Sequence, residues 1–287
     1  ASTVVGQSAE TVDADFFADT VPPAPSLEDV RAVLDHYAAG GLRPDYEPFA
    51  ERSRSDPREL AARIEAIDSK HRRLVTVRFT PANDRLWPAL YRAGKPIQYS
   101  HLERDLELWA PQTVYAGRPW AVEMPSAGRP LRWSLLLELK RAGVQLASVT
   151  HAAGLSSTGD DALDAMLPLS ERYEIPDATA RAVTETRAWG GRVIAVGTSV
   201  VRALESASTP EGQVRAGTAT TELLLGPGYV PRVISGLYTG LHEPTASHFA
   251  LLRAFAPLEV LQRAYSEAEA RNYLGHEFGD SSLILAA

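Results

Sequence analysis

Apolar and polar positions change their period several times along the chain, and each change marks an element. Ser26 and Asp29 form a capping-box pattern that predicts a helix to about Ala39, closed by Gly40-Gly41. Asp56-Pro57 opens a second predicted helix to about Lys70, with proline in the first helical position. Arg72 to Phe79 alternates and reads as a strand, and residues 84–94 read as a helix with Trp87 and Leu90 inward. A helix over 135–142 ends at Gly143, and a strand over 144–150 delivers His151 to its end. A helix over 178–189 stops at Gly190-Gly191. Val193 to Val196 is nearly all apolar, as expected of a strand covered on both faces. Gly197 then turns the chain, and a hydroxyl of Thr198 or Ser199 is expected to cap the next helix. Strands at 220–225 and 233–238, helices at 245–255 and 259–273, and a strand at 283–285 complete the pattern.

From about residue 119 strands and helices alternate at short spacing. That predicts an α/β core built on a mostly parallel sheet, open or closed into a distorted, barrel-like form. Residues 1–25, rich in Ala, Ser, Thr, Asp and Pro, read as an extended arm, residues 26–72 as a helical appendage, and residues 73–287 as the α/β catalytic core.

Composition narrows the classes. The 287 residues are 45% hydrophobic and 23% charged, as in a globular protein, and no apolar run is long enough to span a bilayer. No basic-then-apolar leader pattern opens the chain. Zero cysteines remove disulfides, thiolate nucleophiles and cysteine metal sites, which fits a cytoplasmic protein. A net charge of −7 advertises no broad grip on nucleic acid, although one basic groove can exist within an acidic chain. Oligomeric state is open, a homo-oligomer included.

Polar residues gather after predicted strands or at helix starts: Ser126, His151, Thr198, Ser199, His242, Glu243, Glu277 and Asp280. If the strands are parallel, their carboxyl ends share one face, where such sheets bind ligands. Each residue also has a plain structural reading. His151 can be a hydrogen-bonded histidine at a strand end, and His242-Glu243-Pro244 can simply open a helix. His248, six residues beyond His242, falls on a different helical face and reads as a packing residue. Arg202 and Glu205 have the spacing of an exposed i,i+3 ion pair. The turn at Gly197 lacks the further glycines of a dinucleotide fold, and no H-E-x-x-H or tight His/Asp cluster points to a metal.

Taken together, these runs resemble the S-adenosylmethionine:tRNA ribosyltransferase-isomerase family of queuosine biosynthesis. Gly190 to Ala207 is similar to the family's G-G-R-V-I-A-V-G-T-T-S-V-R-T-L-E-S-A. Gln112 to Ala116 matches Y-Q-T-V-Y-A, with Pro111 in place of the first Tyr; Pro125-Ser126-Ala127-Gly128 matches P-T-A-G. Thr239, His242 and Pro244 fit T-N-F-H-L-P, and Gly279-Asp280 fits the terminal G-D. These runs cover about residues 75–285 in the family's order. The departures are specific. The N-D-T-R segment has no counterpart, Arg129 stands where P-T-A-G-L-H-F continues, and a later M-H-x-E run keeps Glu171 but has Leu169 at the His. The chain looks like a divergent, actinobacterial-type branch.

The resemblance implies that the ribosyl carbons of S-adenosylmethionine move to an aminomethyl-deazaguanine base in tRNA, rearrange to an epoxycyclopentane, and release adenine and methionine. It implies His242 as acid/base, with Asp280 or Glu243 orienting it or serving adenine, and His151 and Glu277 nearby. Ser126, Ala127 and Gly128 would line the nucleoside together with Gln112 and Thr239. Tyr115 would face the sulfonium. Gly197, Thr198, Ser199 and Arg202 would take the amino-acid or phosphate end. Two other functions fit the same residues: an S-adenosylmethionine enzyme with a small-molecule acceptor, and an inactive nucleoside-binding relative.

Overall fold

A computed structural model describes residues 2–5, 60–69, 74–82, 85–97, 106–107, 110–118, 120–155, 160–242, 244, 247–275 and 278–286. In chain order its elements begin with strands β1 (Ser2–Val5), β2 (Ala61–Ile67) and β3 (Val75–Thr80) and helix α1 (Leu86–Ala93). A 3-10 turn at Ser126–Gly128 precedes α2 (Trp133–Arg141), β4 (Ser148–His151), α3 (Asp161–Asp164), β5 (Glu171–Ile175) and α4 (Asp177–Ala188). Then come β6 (Ile194–Val196), α5 (Thr198–Ser206), β7 (Gly217–Thr221), β8 (Gly236–Gly240), α6 (Ser247–Leu252), α7 (Leu258–Ala270) and β9 (Ser281–Leu285).

The chain divides into two compact units, residues 10–108 and residues 1–9 with 109–287. In the first, β2 and β3 pair antiparallel. The second helix expected over 57–70 is therefore a strand over 61–67. Its Ala, Arg, Glu and Ile residues suit a helix, but pairing with β3 decides, with Ala61 opposite Thr80 and Ile67 opposite Val75; across the strands the Glu65 carboxylate receives Arg78 Nε at 2.5 Å. The first expected helix, over 26–39, lies outside the described residues.

The larger unit is a mixed α/β fold. One sheet has the order β1-β4-β5-β7 and the other β6-β8-β9. β1/β4 and β6/β8 are parallel, whereas β4/β5, β5/β7 and β8/β9 are antiparallel. The expectation of a mostly parallel core does not describe these strands, and among the described residues they form separate sheets rather than one closed barrel. The chain turns back between β4 and β5, which pair antiparallel through Thr150–Glu174 and His151–Tyr173.

Helix α5 runs through the core. Val200, Val201, Ala203 and Leu204 are fully buried, packed with Val149, Ile175, Ala195, Leu237 and Leu252. Burial of a side chain such as Leu204 stabilises by about 1.5–3 kcal/mol. Arg202 and Glu205 are buried on the same helix, so the exposed i,i+3 pair expected of them is not formed. Glu205 instead accepts from the backbone N–H groups of Arg232 (2.9 Å), Val233 (2.9 Å) and Ile234 (3.1 Å) and from Tyr229 Oη (3.1 Å). One carboxylate thereby fixes the loop that leads into β8.

Candidate active site

The segment before the Ser126 turn is pinned by Trp120, which is 1% exposed. The guanidinium groups of Arg172 and Arg118 lie 4.3 and 5.2 Å from its ring centre, and Arg118 reaches Glu174 of β5 at 2.5 Å. Val122 N–H donates to Ala153 O at 3.0 Å. The turn at Ser126–Gly128 then packs tightly on the preceding segment. A Cβ on Gly128 would overlap Tyr115 Oη and stand 2.9 Å from its Cζ and 3.3 Å from Thr113 Cγ2. On the other side, a Cβ on Gly197 would lie 3.6 Å from Ala127 Cβ. Arg129 stacks over the Phe278 ring at 4.2 Å, which brings the Gly279-Asp280 segment to the same turn.

Gly197 has φ of +91°, the left-handed region that glycine adopts without strain, and this permits the abrupt change from β6 to α5. It is itself the N-cap, and no side chain caps the helix. The hydroxyl cap expected from Thr198 or Ser199 is absent because α5 already begins at Thr198. Gly197 N–H donates to Tyr238 O of β8 at 2.8 Å, so the helix start and β8 are joined. Two residues after β8, His242 Nε2 lies 2.8 Å from Thr239 Oγ1, and the His242 N–H donates to Tyr265 Oη at 3.0 Å. The rings of His242 and His248 stack at 5.1 Å, so a residue expected only to pack touches a candidate acid/base. Burial, with the charge of His248 adding to it, pushes His242 down to about 3, so it is neutral at physiological pH.

Two buried hydroxyls stand beside the turn. Thr113 Oγ1 and Tyr115 Oη are buried and make no hydrogen bond of ordinary geometry among the described residues. Burial pushes the Tyr115 phenol well above its usual range, with the neighbouring Thr113 hydroxyl opposing the shift. Buried orphan hydroxyls are costly, and they fit a place where a ligand's polar atoms complete the bonding.

Behind α5 lies a buried charged cluster. His151 is 0% exposed, with Nδ1 2.9 Å from Ser199 O and Nε2 2.8 Å from Glu171 Oε2. Glu171 Oε2 also receives Arg202 Nη1, and Oε1 receives Gly154 N–H at 2.7 Å. Arg202 completes its bonding with Nε to Leu223 O at 3.0 Å and Nη2 to Thr221 O at 3.4 Å. Burial pushes the Glu171 carboxyl up, but His151, Arg202 and Gly154 N–H together outweigh it and hold the group below its usual range.

Of the residues nominated from sequence, Tyr115, Ser126, Ala127, Gly128, Gly197 and Thr198 form one continuous neighbourhood, joined through β8 to Thr239 and His242. Asp280 exchanges hydrogen bonds with Leu274: its Oδ2 accepts the Leu274 N–H at 2.8 Å and its N–H donates to Leu274 O at 2.7 Å. Gln112 is exposed beside Thr113. His151 and Arg202 sit beneath the helix with their polar atoms engaged, and Ser199 offers its carbonyl to His151. Glu243 and Glu277 lie outside the described residues. Sequence reading passed over Thr113, Tyr265 and the structural part of Glu171. The signal for Glu171 was the alternation Glu171-Arg172-Tyr173-Glu174-Ile175, whose first, third and fifth residues are buried. Among the described residues no group of three His, Asp or Glu could hold a metal ion, and no helix is long and apolar enough to cross a membrane.

Residues 42–284 match the family model described as "Queuosine biosynthesis protein". The S-adenosylmethionine:tRNA ribosyltransferase-isomerase of Dechloromonas aromatica is 37% identical over 204 residues, 69% of this chain and 58% of that protein. The protein of the same name from Thermosynechococcus vestitus is 35% identical over 232 residues, 79% of this chain and 65% of that one. The chain thus spans less than two thirds of the length of these relatives. A crystal structure of the S-adenosylmethionine tRNA ribosyltransferase from Thermotoga maritima aligns with 26% identity and a TM-score of 0.46, over 80% of this chain and 64% of that one. With the model covering most of its length, the chain belongs to the queuosine biosynthesis protein family.

Proposed function

We propose that the chain is a transferase-isomerase that takes S-adenosylmethionine as ribosyl donor and releases adenine and methionine, as in epoxyqueuosine formation on tRNA. The observation that carries this reading is the meeting of Tyr115, the Ser126–Gly128 turn, the Gly197 turn and the Thr239–His242 pair in one neighbourhood. The orphan hydroxyls of Thr113 and Tyr115 fit the polar edge of a nucleoside, and the Tyr115 ring suits a sulfonium. A sulfonium acidifies the adjacent C5′ proton, so a base must reach it within about 3 Å or through one water. A histidine held near 3 is neutral at physiological pH, so its ring N–H can donate a hydrogen bond but carries no extra proton to transfer. We therefore assign His242, oriented by Thr239, to the departing adenine, and the C5′ proton to a carboxylate, with Glu243 and Asp280 the candidates. The uncapped start of α5 at Thr198 and Ser199 is suited to the methionine carboxylate.

The acceptor in this reading is a tRNA base, after the names of the relatives, and the compartment is the cytoplasm. The net charge of −7 favours a second reading in which the acceptor is a small molecule. Incubation with S-adenosylmethionine alone and with added tRNA, following adenine and methionine, decides between them. Release that needs tRNA supports the first; release without it supports the second. Binding without release in either arm leaves an inactive nucleoside-binding relative and overturns the enzymatic reading.

A further inference from the structure

The buried cluster behind α5 reaches the first turn of that helix through Ser199 O. Both nitrogens of His151 face acceptors: a backbone carbonyl, which cannot donate, and a carboxylate that already takes an N–H from Arg202 and another from Gly154. A neutral imidazole carries one proton and would leave one of the two contacts without a hydrogen. Only a ring donating from both nitrogens satisfies Ser199 O and Glu171 Oε2 at 2.9 and 2.8 Å. Glu171 in turn ties three pieces together: the loop after β4 at Gly154, the ring of His151, and Arg202 one turn into α5. Arg202 then reaches the carbonyls of Thr221 and Leu223 at the end of β7.

We infer that His151 is a positioning residue which, as a two-donor ring on the Glu171–Arg202 pair, fixes the first turn of α5 so that Thr198 and Ser199 stay aimed at the ligand. The inference rests on the S-adenosylmethionine reading for its ligand and on geometry alone for the ring. Ser199 is held through its carbonyl, so the contact with the ring does not draw on its hydroxyl. Gly154 is bound through its N–H, which ties the backbone just after β4 to the same carboxylate. A proton-transfer group would need to reach a reacting atom, and His151 is enclosed with both nitrogens occupied.

The test has two arms. Long-range nitrogen NMR of the unliganded wild-type chain reads the His151 ring directly; both nitrogens carrying hydrogen is the expected result, and one bare nitrogen overturns the inference. The second arm compares wild type with His151→Ala and Arg202→Lys, using calorimetry with S-adenosylmethionine and the pH profile of kcat. The expected result is binding about tenfold weaker with the profile unchanged in shape. Unchanged binding with a lost limb of the profile would make His151 a proton carrier and overturn the inference. If His151→Ala fails to fold, Arg202→Lys, which keeps a charge but not the fork, carries the comparison. If wild type binds no S-adenosylmethionine, the functional reading fails while the NMR arm still decides the ring.

Discussion

Removal of the Glu205 carboxylate is the perturbation whose cost the structure defines best. The group is 0% exposed and accepts four hydrogen bonds: Oε1 from Val233 and Ile234 N–H, Oε2 from Arg232 N–H and Tyr229 Oη. Glu205→Ala strands three backbone donors and one phenol in a space that water enters only if the loop opens. Hydrogen bonds to a charged group contribute about 1.5–3 kcal/mol each, but a straight sum overshoots, because the loop relaxes and regains water. Breaking one partner out of a buried charged network costs about 3–5 kcal/mol, and that is the loss expected here. Glu205→Gln is the sharper variant. Whichever way its amide is turned, the NH2 faces at least one backbone N–H, so it loses about 1–3 kcal/mol while keeping the shape. Urea unfolding of the three chains should give midpoints in the order wild type, Gln, Ala, with similar slopes. An Ala variant within about 1 kcal/mol of wild type would refute the claim that this carboxylate holds the approach to β8.

A histidine held near 3 when folded and near 6.5 when unfolded binds its proton preferentially in the unfolded chain between those values. Stability from His242 is therefore complete above about pH 6.5 and is lost on acidification by about 1.4 kcal/mol per pH unit towards 3. The stability gap between wild type and His242→Asn should change by about 2 kcal/mol between pH 6.5 and 5; parallel curves in urea melts contradict the assignment. His242→Ala should lower adenine release about 10²–10³-fold with S-adenosylmethionine binding largely kept, as chromatography and calorimetry would record. Gly128→Ala should displace Tyr115 and weaken nucleoside binding at least tenfold, read by calorimetry; unchanged affinity means the turn is not part of the site.

Much of the large unit was legible because its strongest signals are local. The run from Gly190 to Glu205 carries a helix stop, an apolar strand, a left-handed glycine and a helix, and the structure has β6 and α5 there. His242 was visible as a polar residue after a strand. What stayed hidden depends on long-range pairing. β2 is written in helix-forming residues and becomes a strand only through β3. β5 is masked by charges that are half buried, and without it the chain seems to run parallel where it turns back. Arg202 and Glu205 look like an exposed pair because spacing along a helix does not tell which face meets solvent. Their true partners, Glu171 and the 232–234 backbone, lie about 30 residues away in sequence.

The central claim is that chain segments remote in sequence serve one sulfonium nucleoside. Hydrogen–deuterium exchange with and without S-adenosylmethionine tests it on the whole chain at once. The account predicts slower exchange together at 112–116, 126–129, 197–200 and 239–242, with 217–221 unchanged. Protection confined to one of these segments, or found only elsewhere, would contradict it.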